Sequence, residues 1–375
     1  MALQNSGAIS LDDIHVEAGG TSGTSASIND SDIRDMIDKS DGAEASFQEY
    51  YGASSQTHVA GSGGQTTTSG NYKFHYFNSS GQFQVSSIGS GGPSNTIDYI
   101  VIAGGGSGGV SHSQPADCLS VGGGGGAGGY TTGTFSGTVG NHSVTIGGGG
   151  SGQTPGSGAH ASGSNSSLSG VSTATGGGGG GYRTNTAVVN GENGGSGGGG
   201  NTQGQIATGI SGQGNNGGMG EHRYSNPTHG GQYFPTAGHG GGGGGKGSAA
   251  PDSQGTWGAY FGLEFHGGRV AQDGGNGSST GNANYNSGTR AGGGGGDCKI
   301  YANYSNRTAE GKAGGGDGGR HFYTSAGTVL SPTSATANSG SGGGGGNSTG
   351  YLGGRSGNSG SGGSGIVMVR YQYQG

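Results

Sequence analysis

Runs of consecutive glycine fill most of this 375-residue chain, and they limit what it can fold into. Of its 105 glycines, 14 lie in residues 1–100 and 91 in the remaining 275. Glycine brings no side chain to bury, and in regular structure it loses about 0.5–1 kcal/mol more to backbone entropy than alanine. A side-chain core is therefore out of reach for residues 104–365, and disorder is the plainest alternative. Collagen is excluded, because there is no strict G-X-Y period and only seven prolines.

The runs fall at 122–126, 147–150, 176–181, 197–200, 240–245, 292–296, 314–316 and 342–346. Their spacing is irregular, so this is not a fixed-period repeat. Short uninterrupted runs suit polyglycine-II, an extended helix of three residues per turn that rises about 3.1 Å per residue. Its N–H and C=O groups point outward, and buried backbone groups must be paired. Such rods are thus stable only side by side, held by main-chain hydrogen bonds worth about 1 kcal/mol each. The expected fold is mostly irregular and β: a polyglycine-II raft closed by a small β-sheet, preceded by three short α-helices.

Apolar alternation appears only at the margins of the glycine-rich part. Residues 71–88 read as a hairpin: Tyr72, Phe74 and Tyr76 share one face, "NSSG" turns the chain, and Phe83 and Val85 return. The run "IDYIVIAGGGSGG" (97–109) predicts a strand that passes into glycine as extended backbone. "GIVMVRYQY" (365–373) places Val367, Val369 and Tyr371 on one face, with Ile366, Met368 and Arg370 on the other. The hairpin, 97–103 and 366–373 are expected to pair in one basal sheet.

The first fifty residues are of another kind. They hold ten of the 20 acids against Arg34 and Lys39, which puts −8 of charge here and leaves +2 for the rest of a chain of net charge −6. Three segments repeat one helix-start device. Ser10 caps with Asp13 at N3 and an Ile9–Ile14 staple; Asn29 caps with Asp32 and an Ile28–Ile33 staple; Ser46 and Glu49 form a capping box. Acids in first turns suit the helix dipole. So few apolar anchors bury too little to stand alone, so the segment is expected to dock on another copy, a partner or the following domain. The N-terminus reads without a signal peptide or membrane anchor.

Motifs for chemistry fail on context. Gly104, Gly106 and Gly109 satisfy G-x-G-x-x-G behind a strand, but Pro115 breaks any following helix and no ribose-binding acid stands about twenty residues on. "GGGGGKGS" (241–248) resembles a phosphate loop, yet Gly247 stands where Ser or Thr would hold magnesium. The eleven histidines lack metal-ligand spacing, His229 and His239 being the nearest approach. Later acids, among them Glu192, Asp252, Glu264, Asp273, Asp297 and Asp317, stand mostly alone. No basic stripe suits nucleic acid. No enzyme, cofactor or metal site is expected. Cys118 and Cys298 read as two free thiols, with a disulfide as the alternative.

Between the runs, "EHRYSNPTHGGQYFP" (221–235), "TWGAYFGLEFHGG" (256–268), "KIYANYSNRT" (299–308) and "RHFYTSAGTVLSP" (320–332) mix aromatics with Ser, Asn and Gly, the composition of a binding paratope. The alternative is that these aromatics cover the raft's outer faces. Two resemblances bear on this. "SGAISLDDIHVEAGGTSGTSASINDSDIRDMI" with "SFQEYYGAS" resembles the N-terminal segment of virion structural proteins of marine tailed bacteriophages. "FNSSGQFQV…IDYIVIAGGGSGG…GGGGGAGGY…VTIGGGG…GGSGIVMVRY" resembles the glycine-rich domain of phage tail-fibre and adhesin proteins, some of which build polyglycine-II sandwiches with variable receptor-binding loops.

The resemblance implies a tail adhesin made in the host cytoplasm and carried on the virion tail. Residues 1–54 would attach it to other tail proteins, 55–70 would be a linker, and 71–375 would be the adhesin domain. Its basal strands would be 71–103 and 365–373, with runs and loops over 104–364. The receptor would be a bacterial polysaccharide or outer-membrane protein, and the assembly a homotrimer. The candidate contact residues are Tyr224, Tyr233, Phe234, Trp257, Tyr260, Phe261, Tyr301, Tyr304, Phe322 and Tyr323, whose rings can stack on sugars or side chains. The rivals are a structural fibre or decoration protein and a secreted glycine-rich structural protein.

Overall fold

The computed structural model describes residues 3–4, 6–37, 39–40, 42–53, 57–89, 92–111, 121–154, 160–184, 186–201, 205–222, 238–250, 258–260, 263–265, 274–276, 278–279, 289–300, 309–322, 330–347 and 357–373. The chain is mostly strand and irregular backbone, with two short α-helices near its start.

Helix α1 (Leu11–Glu17) begins as its sequence requires: the Asp13 N–H donates to Ser10 Oγ, and the Ser10 N–H donates back to Asp13 Oδ2. The Ser10 hydroxyl and then its N–H, both donating to Asp13 Oδ2, hold the Asp13 carboxyl below its ordinary pKa. Helix α2 (Ser31–Asp35) starts one residue later than expected, with Asp30 at the cap position and no side-chain capping bond. Asn29 is drawn off instead: its Oδ1 accepts from Nη1 of the fully buried Arg34 at 2.8 Å. The third expected α-helix is a single 3-10 turn (Phe47–Tyr50), although its Ser46–Glu49 pair does form. Ile14, Ile33, Met36 and Tyr50 meet in a small core of their own.

Ten strands make two five-stranded antiparallel sheets rather than one basal sheet. In chain order they are β1 (Ala60–Ser62), β2 (Gln65–Ser69), β3 (Tyr72–Phe77), β4 (Gly81–Ser87), β5 (Thr96–Ile102), β6 (Tyr130–Ser136), β7 (Gly140–Thr145), β8 (Ser166–Leu168), β9 (Ser172–Ala174) and β10 (Ile366–Gln372). One sheet runs β2-β3-β10-β5-β6 and the other β1-β4-β7-β8-β9. The expected 71–88 hairpin is thereby split: β3 pairs with β2 and β10, while β4 pairs with β1 and β7. Residues 60–62 and 65–69, in the stretch expected to be a linker, supply β1 and β2.

Period-2 alternation explains this outcome. Val367, Val369 and Tyr371 pack with Phe77, Phe83, Val85, Val144 and Leu168 between the sheets, forming the core. Ile366 and Met368 point the other way and meet Phe74, Ile100, Ala127 and Ala291, so the β10 sheet is covered on both faces. Arg370, on that second face, donates from Nε to Asp98 Oδ2 at 2.7 Å and lies 4.7 Å over the Tyr72 ring.

His75 is buried between the sheets. Its Nδ1 lies 2.6 Å from the Gly63 carbonyl, which can only accept, so the proton sits on Nδ1. Nε2 then accepts from the Tyr371 hydroxyl at 3.1 Å, a proton also within reach of Gly61 O.

Beyond the sandwich the glycine runs bond to one another with a period of three. The N–H groups of Gly104 and Ser107 donate to Ser164 and Ala161; those of Gly105 and Gly108 to Gly363 and Gly360; those of Gly106 and Gly109 to Gly126 and Gly123, all at 2.8–3.1 Å. Carbonyls follow the same rhythm: Gly104 and Ser107 accept from Gly177 and Gly180, and Gly106 and Gly109 from Gly343 and Gly346. With Gly150 donating to the Gly105 carbonyl, six other segments surround this one. The run 122–129 repeats the arrangement: it donates to segments around 175–181, 241–244 and 340–343, and accepts from 103–109, 196–199 and 294–297. Residues 104–109 carry no helix, as expected.

Only glycine fits these contacts. A Cβ on Gly125 would stand 2.1 Å from the Gly106 carbonyl oxygen, and one on Gly106 would stand 2.2 Å from that of Gly178. Gly125→Ala should therefore cost about 3 kcal/mol or more, at the upper end of overpacking. Gly148→Ala, with nothing within 4 Å of its new methyl, should stay within about 0.5 kcal/mol. Denaturant unfolding of the two variants checks this. Burial holds the His75 imidazole below its ordinary value of 6.5, which the Lys73 charge reinforces and the Gly63 bond opposes. The folded state thus binds fewer protons there than the unfolded chain. Stability from this site is complete above pH 6.5 and falls as the pH drops toward the folded-state value. Thermal melts should show a shallower decline below pH 6.5 in His75→Gln than in wild type.

Candidate functional site

The direction of each glycine run follows from where it meets the sandwich. Residue 103 leaves β5, 130 enters β6, 146 leaves β7, 165 enters β8, 175 leaves β9 and 365 enters β10. Runs 104–109, 147–150 and 175–181 therefore head away from the sandwich, and 122–129, 161–165 and 357–365 head back. Hydrogen-bond registers orient the others. Segments 196–199, 215–218, 316–319 and 340–346 run outward parallel to these, 294–297 runs outward antiparallel to 122–125, and 241–244 returns parallel to 124–127.

Consequently, 110–111, 182–183, 221–222, 298–300, 320–322 and 346–347 all lie at the end remote from the sandwich, each following an outgoing run. Short ladders tie them together there. Val110–Ser111 pairs in parallel with Gly346–Asn347. Glu221–His222, Gly238–His239, Cys298–Ile300 and Arg320–Phe322 form a four-stranded sheet in that order. The only parallel neighbours in this sheet are Cys298–Ile300 and Arg320–Phe322, as expected of two outgoing segments side by side.

Most of the sequence-predicted contact residues lie outside the described residues: Tyr224, Tyr233, Phe234, Trp257, Phe261, Tyr301, Tyr304 and Tyr323. The backbone anchors of their segments are described. Tyr224, Tyr233 and Phe234 lie between the paired stems 221–222 and 238–239, Tyr301 and Tyr304 follow Cys298–Ile300, and Tyr323 follows Phe322. The described strands next to seven of the ten, one of them holding Phe322 itself, thus belong to one small sheet. Tyr260 belongs to a separate hairpin, Gly258–Tyr260 with Leu263–Phe265, which also brackets Phe261 and follows Trp257.

One group at the remote end had no signal in the sequence. His160 sets its ring 5.0 Å from that of Tyr182, edge to face, with Nε2 3.1 Å from Glu192 Oε1 and Nδ1 3.0 Å from the Gly180 carbonyl. Ser162 Oγ donates to the other oxygen of that carboxylate. Its proton is therefore committed to Glu192 rather than to His160, so the trio is not a nucleophile–base pair. Two open grooves, of about 640 and 500 Å³, are lined mostly by Ser, Thr and Gly, with Leu168 and Val171 in one and Pro332 and Asn358 in the other, and with no titratable side chain.

The glycine motifs are spent on the scaffold. Each N–H from Gly104 to Gly109 donates to a backbone carbonyl, leaving no donor for a pyrophosphate. In 241–248 the N–H groups of Gly241, Gly243, Gly244, Gly245, Lys246, Gly247 and Ser248 are likewise taken, and Lys246 Nζ donates to Gly212 O. Among the described residues no group of three His, Cys, Asp or Glu could hold a metal ion, and no helix is long and apolar enough to cross a membrane.

Fold and hydrogen bonding define a glycine-built scaffold with short strand-anchored segments at one end. The family comparison agrees on the scaffold. A model of the glycine-rich domain matches residues 78–372, and the chain belongs to that family. No curated protein sequence matches the chain.

Because the 221–222 and 238–239 stems pair with each other, and 238–239 also pairs with 298–299, the segment between them should be dispensable for folding. Replacing residues 224–236 with a short Gly-Ser linker should change the unfolding free energy by less than about 1 kcal/mol, as chemical denaturation can verify.

Proposed function

We propose that this protein is a bacteriophage tail-associated adhesin. Its glycine runs pack as a polyglycine-II raft, and the segments at the raft's remote end bind a bacterial surface receptor, a polysaccharide or an outer-membrane protein. One observation carries the reading: the short strands that flank three aromatic-rich segments, scattered over a hundred residues, share one sheet at the end opposite the sandwich. A receptor-binding surface needs such convergence of rigid amphipathic rings among small polar residues. Two features support the raft: the three-residue period of the hydrogen bonds and the lack of room for a Cβ.

In this reading residues 1–54 attach the protein to other tail proteins, and exposed Val16 and Phe47 suit a docking role. The protein acts on the virion as a homotrimer, without catalysis, nucleic acid or membrane insertion. A structural fibre would instead use the remote aromatics as packing.

The test is to label candidate host cells with a fluorescent fusion of the full chain. Labelling of a permissive host should occur and should fall at least tenfold in Trp257→Ala or on exchange of 221–235 for an unrelated loop. Folded protein that labels no permissive host would favour the structural fibre.

A further inference from the structure

His75 and His160 meet different partners. His75 faces one carbonyl and one hydroxyl, so a neutral ring satisfies both contacts. His160, with 11% of its side chain exposed, faces two oxygens that can only accept. The Gly180 carbonyl lies 3.0 Å from Nδ1, and Glu192 Oε1 lies 3.1 Å from Nε2. Ser162 Oγ donates to the second oxygen of that carboxylate, which holds Glu192 as an acceptor. A neutral imidazole carries one N–H and can serve only one of the two. Both contacts together require the imidazolium, its charge set against that of Glu192.

The ring joins three segments. It is carried by the returning run, where Ala161 N–H donates to Ser107 Oγ and Gly163 N–H to Gly177 O, both at 2.9 Å. Gly180 belongs to the outgoing run 175–181, and Glu192 to the turn beyond it. That turn is fixed by its backbone: Glu192 N–H donates to Gly179 O at 2.9 Å, and its carbonyl accepts from Gly198 at 3.0 Å. Of the titratable side chains on these elements, Glu192 and Tyr182 touch the ring, Tyr182 edge to face at 5.0 Å. Arg183 follows Tyr182 in its strand, and runs 104–109 and 194–201 carry no titratable group.

We propose that His160 is a pH-sensitive clamp at the remote end. Protonated on both nitrogens, it ties the returning run at residue 160 to the turn that carries Glu192. The two acceptors are not equivalent when the ring loses a proton. Gly180 is buried, and a buried carbonyl left unpaired is costly. Glu192 is 46% exposed, so its carboxylate can turn into water. The proton that departs to solvent on alkalinisation is therefore the one on Nε2. The neutral ring keeps its Nδ1–H bond to Gly180 and releases Glu192. This inference is independent of the receptor-binding reading, since it rests on no residue of the aromatic segments.

The test uses the full chain with nitrogen-15 in its histidines, read by multiple-bond nitrogen–proton correlation spectra from about pH 5 to about pH 9. The His160 signals are identified by their loss in His160→Gln. They should show two protonated nitrogens at the acidic end and an Nδ1–H ring at the basic end. Hydrogen exchange of the 160–165 amides, corrected for its intrinsic pH dependence, supplies the second readout. Local opening should rise about threefold from the acidic to the basic end, the size of a half-exposed ion pair. The rise should be absent in Glu192→Gln. A neutral ring protonated on Nε2 would overturn the proposal. So would a wild-type chain without the pH response, or a response that persists unchanged in Glu192→Gln. That variant alters only a half-exposed side chain, so the comparison stands even if His160→Gln folds poorly.

Discussion

The scaffold rests on one interaction: a main-chain N–H of one glycine run donating to a carbonyl of another. Each bond adds about 1 kcal/mol net, of the same order as the entropy an ordered glycine gives up. A single pair of runs would gain nothing. Surrounded on six sides, as 104–109 is, a run satisfies every donor and most acceptors at once, and the sum turns favourable. The same closeness makes most interior positions intolerant of a side chain. Ser107 and Ala127 are accommodated within runs, but a methyl on Gly125 meets a carbonyl at 2.1 Å.

Such an assembly has no apolar collapse to start it. The β-sandwich supplies one. Its core of Phe, Val, Ile, Leu and Tyr side chains fixes the first residues of outgoing runs and the last residues of returning ones. Its second apolar face then meets Ala127 and Ala291 of the runs themselves. Side-chain packing and backbone packing thus share a boundary, and that boundary is the β10 sheet. Runs that begin in register at the sandwich end in register at the other end, which is how segments distant in sequence come to share one small sheet.

Much of this was legible in the sequence, and the misses have physical causes. The two faces of 366–371 followed from alternation, because a strand buried on both sides carries a pattern on each. The Ser10–Asp13 and Ser46–Glu49 pairs were legible because capping is local. The Asn29 cap failed because a buried arginine five residues away, Arg34, competed for its oxygen, a demand that propensity does not register. The 71–88 hairpin failed because "NSSG" permits either a ladder partner or a crossing to the facing sheet. Phe77 and Phe83, on either side of that crossing, are both buried in the core between the sheets. The strands at 60–62 and 65–69 escaped notice because edge strands of Gly, Ser and Thr carry no apolar signature.

The sequence by itself determined that residues 104–365 could not be held by an ordinary side-chain core, and that glycine backbones there could approach one another closely. A residue without a Cβ can neither bury apolar area nor resist close approach, and both consequences follow from composition alone. Only the tertiary structure decided which run lies beside which. Every glycine offers the same donor and acceptor, so no run names its partner. Direction and register come instead from the strands that flank the runs, and with them the end of the molecule at which 221–222, 298–300 and 320–322 meet.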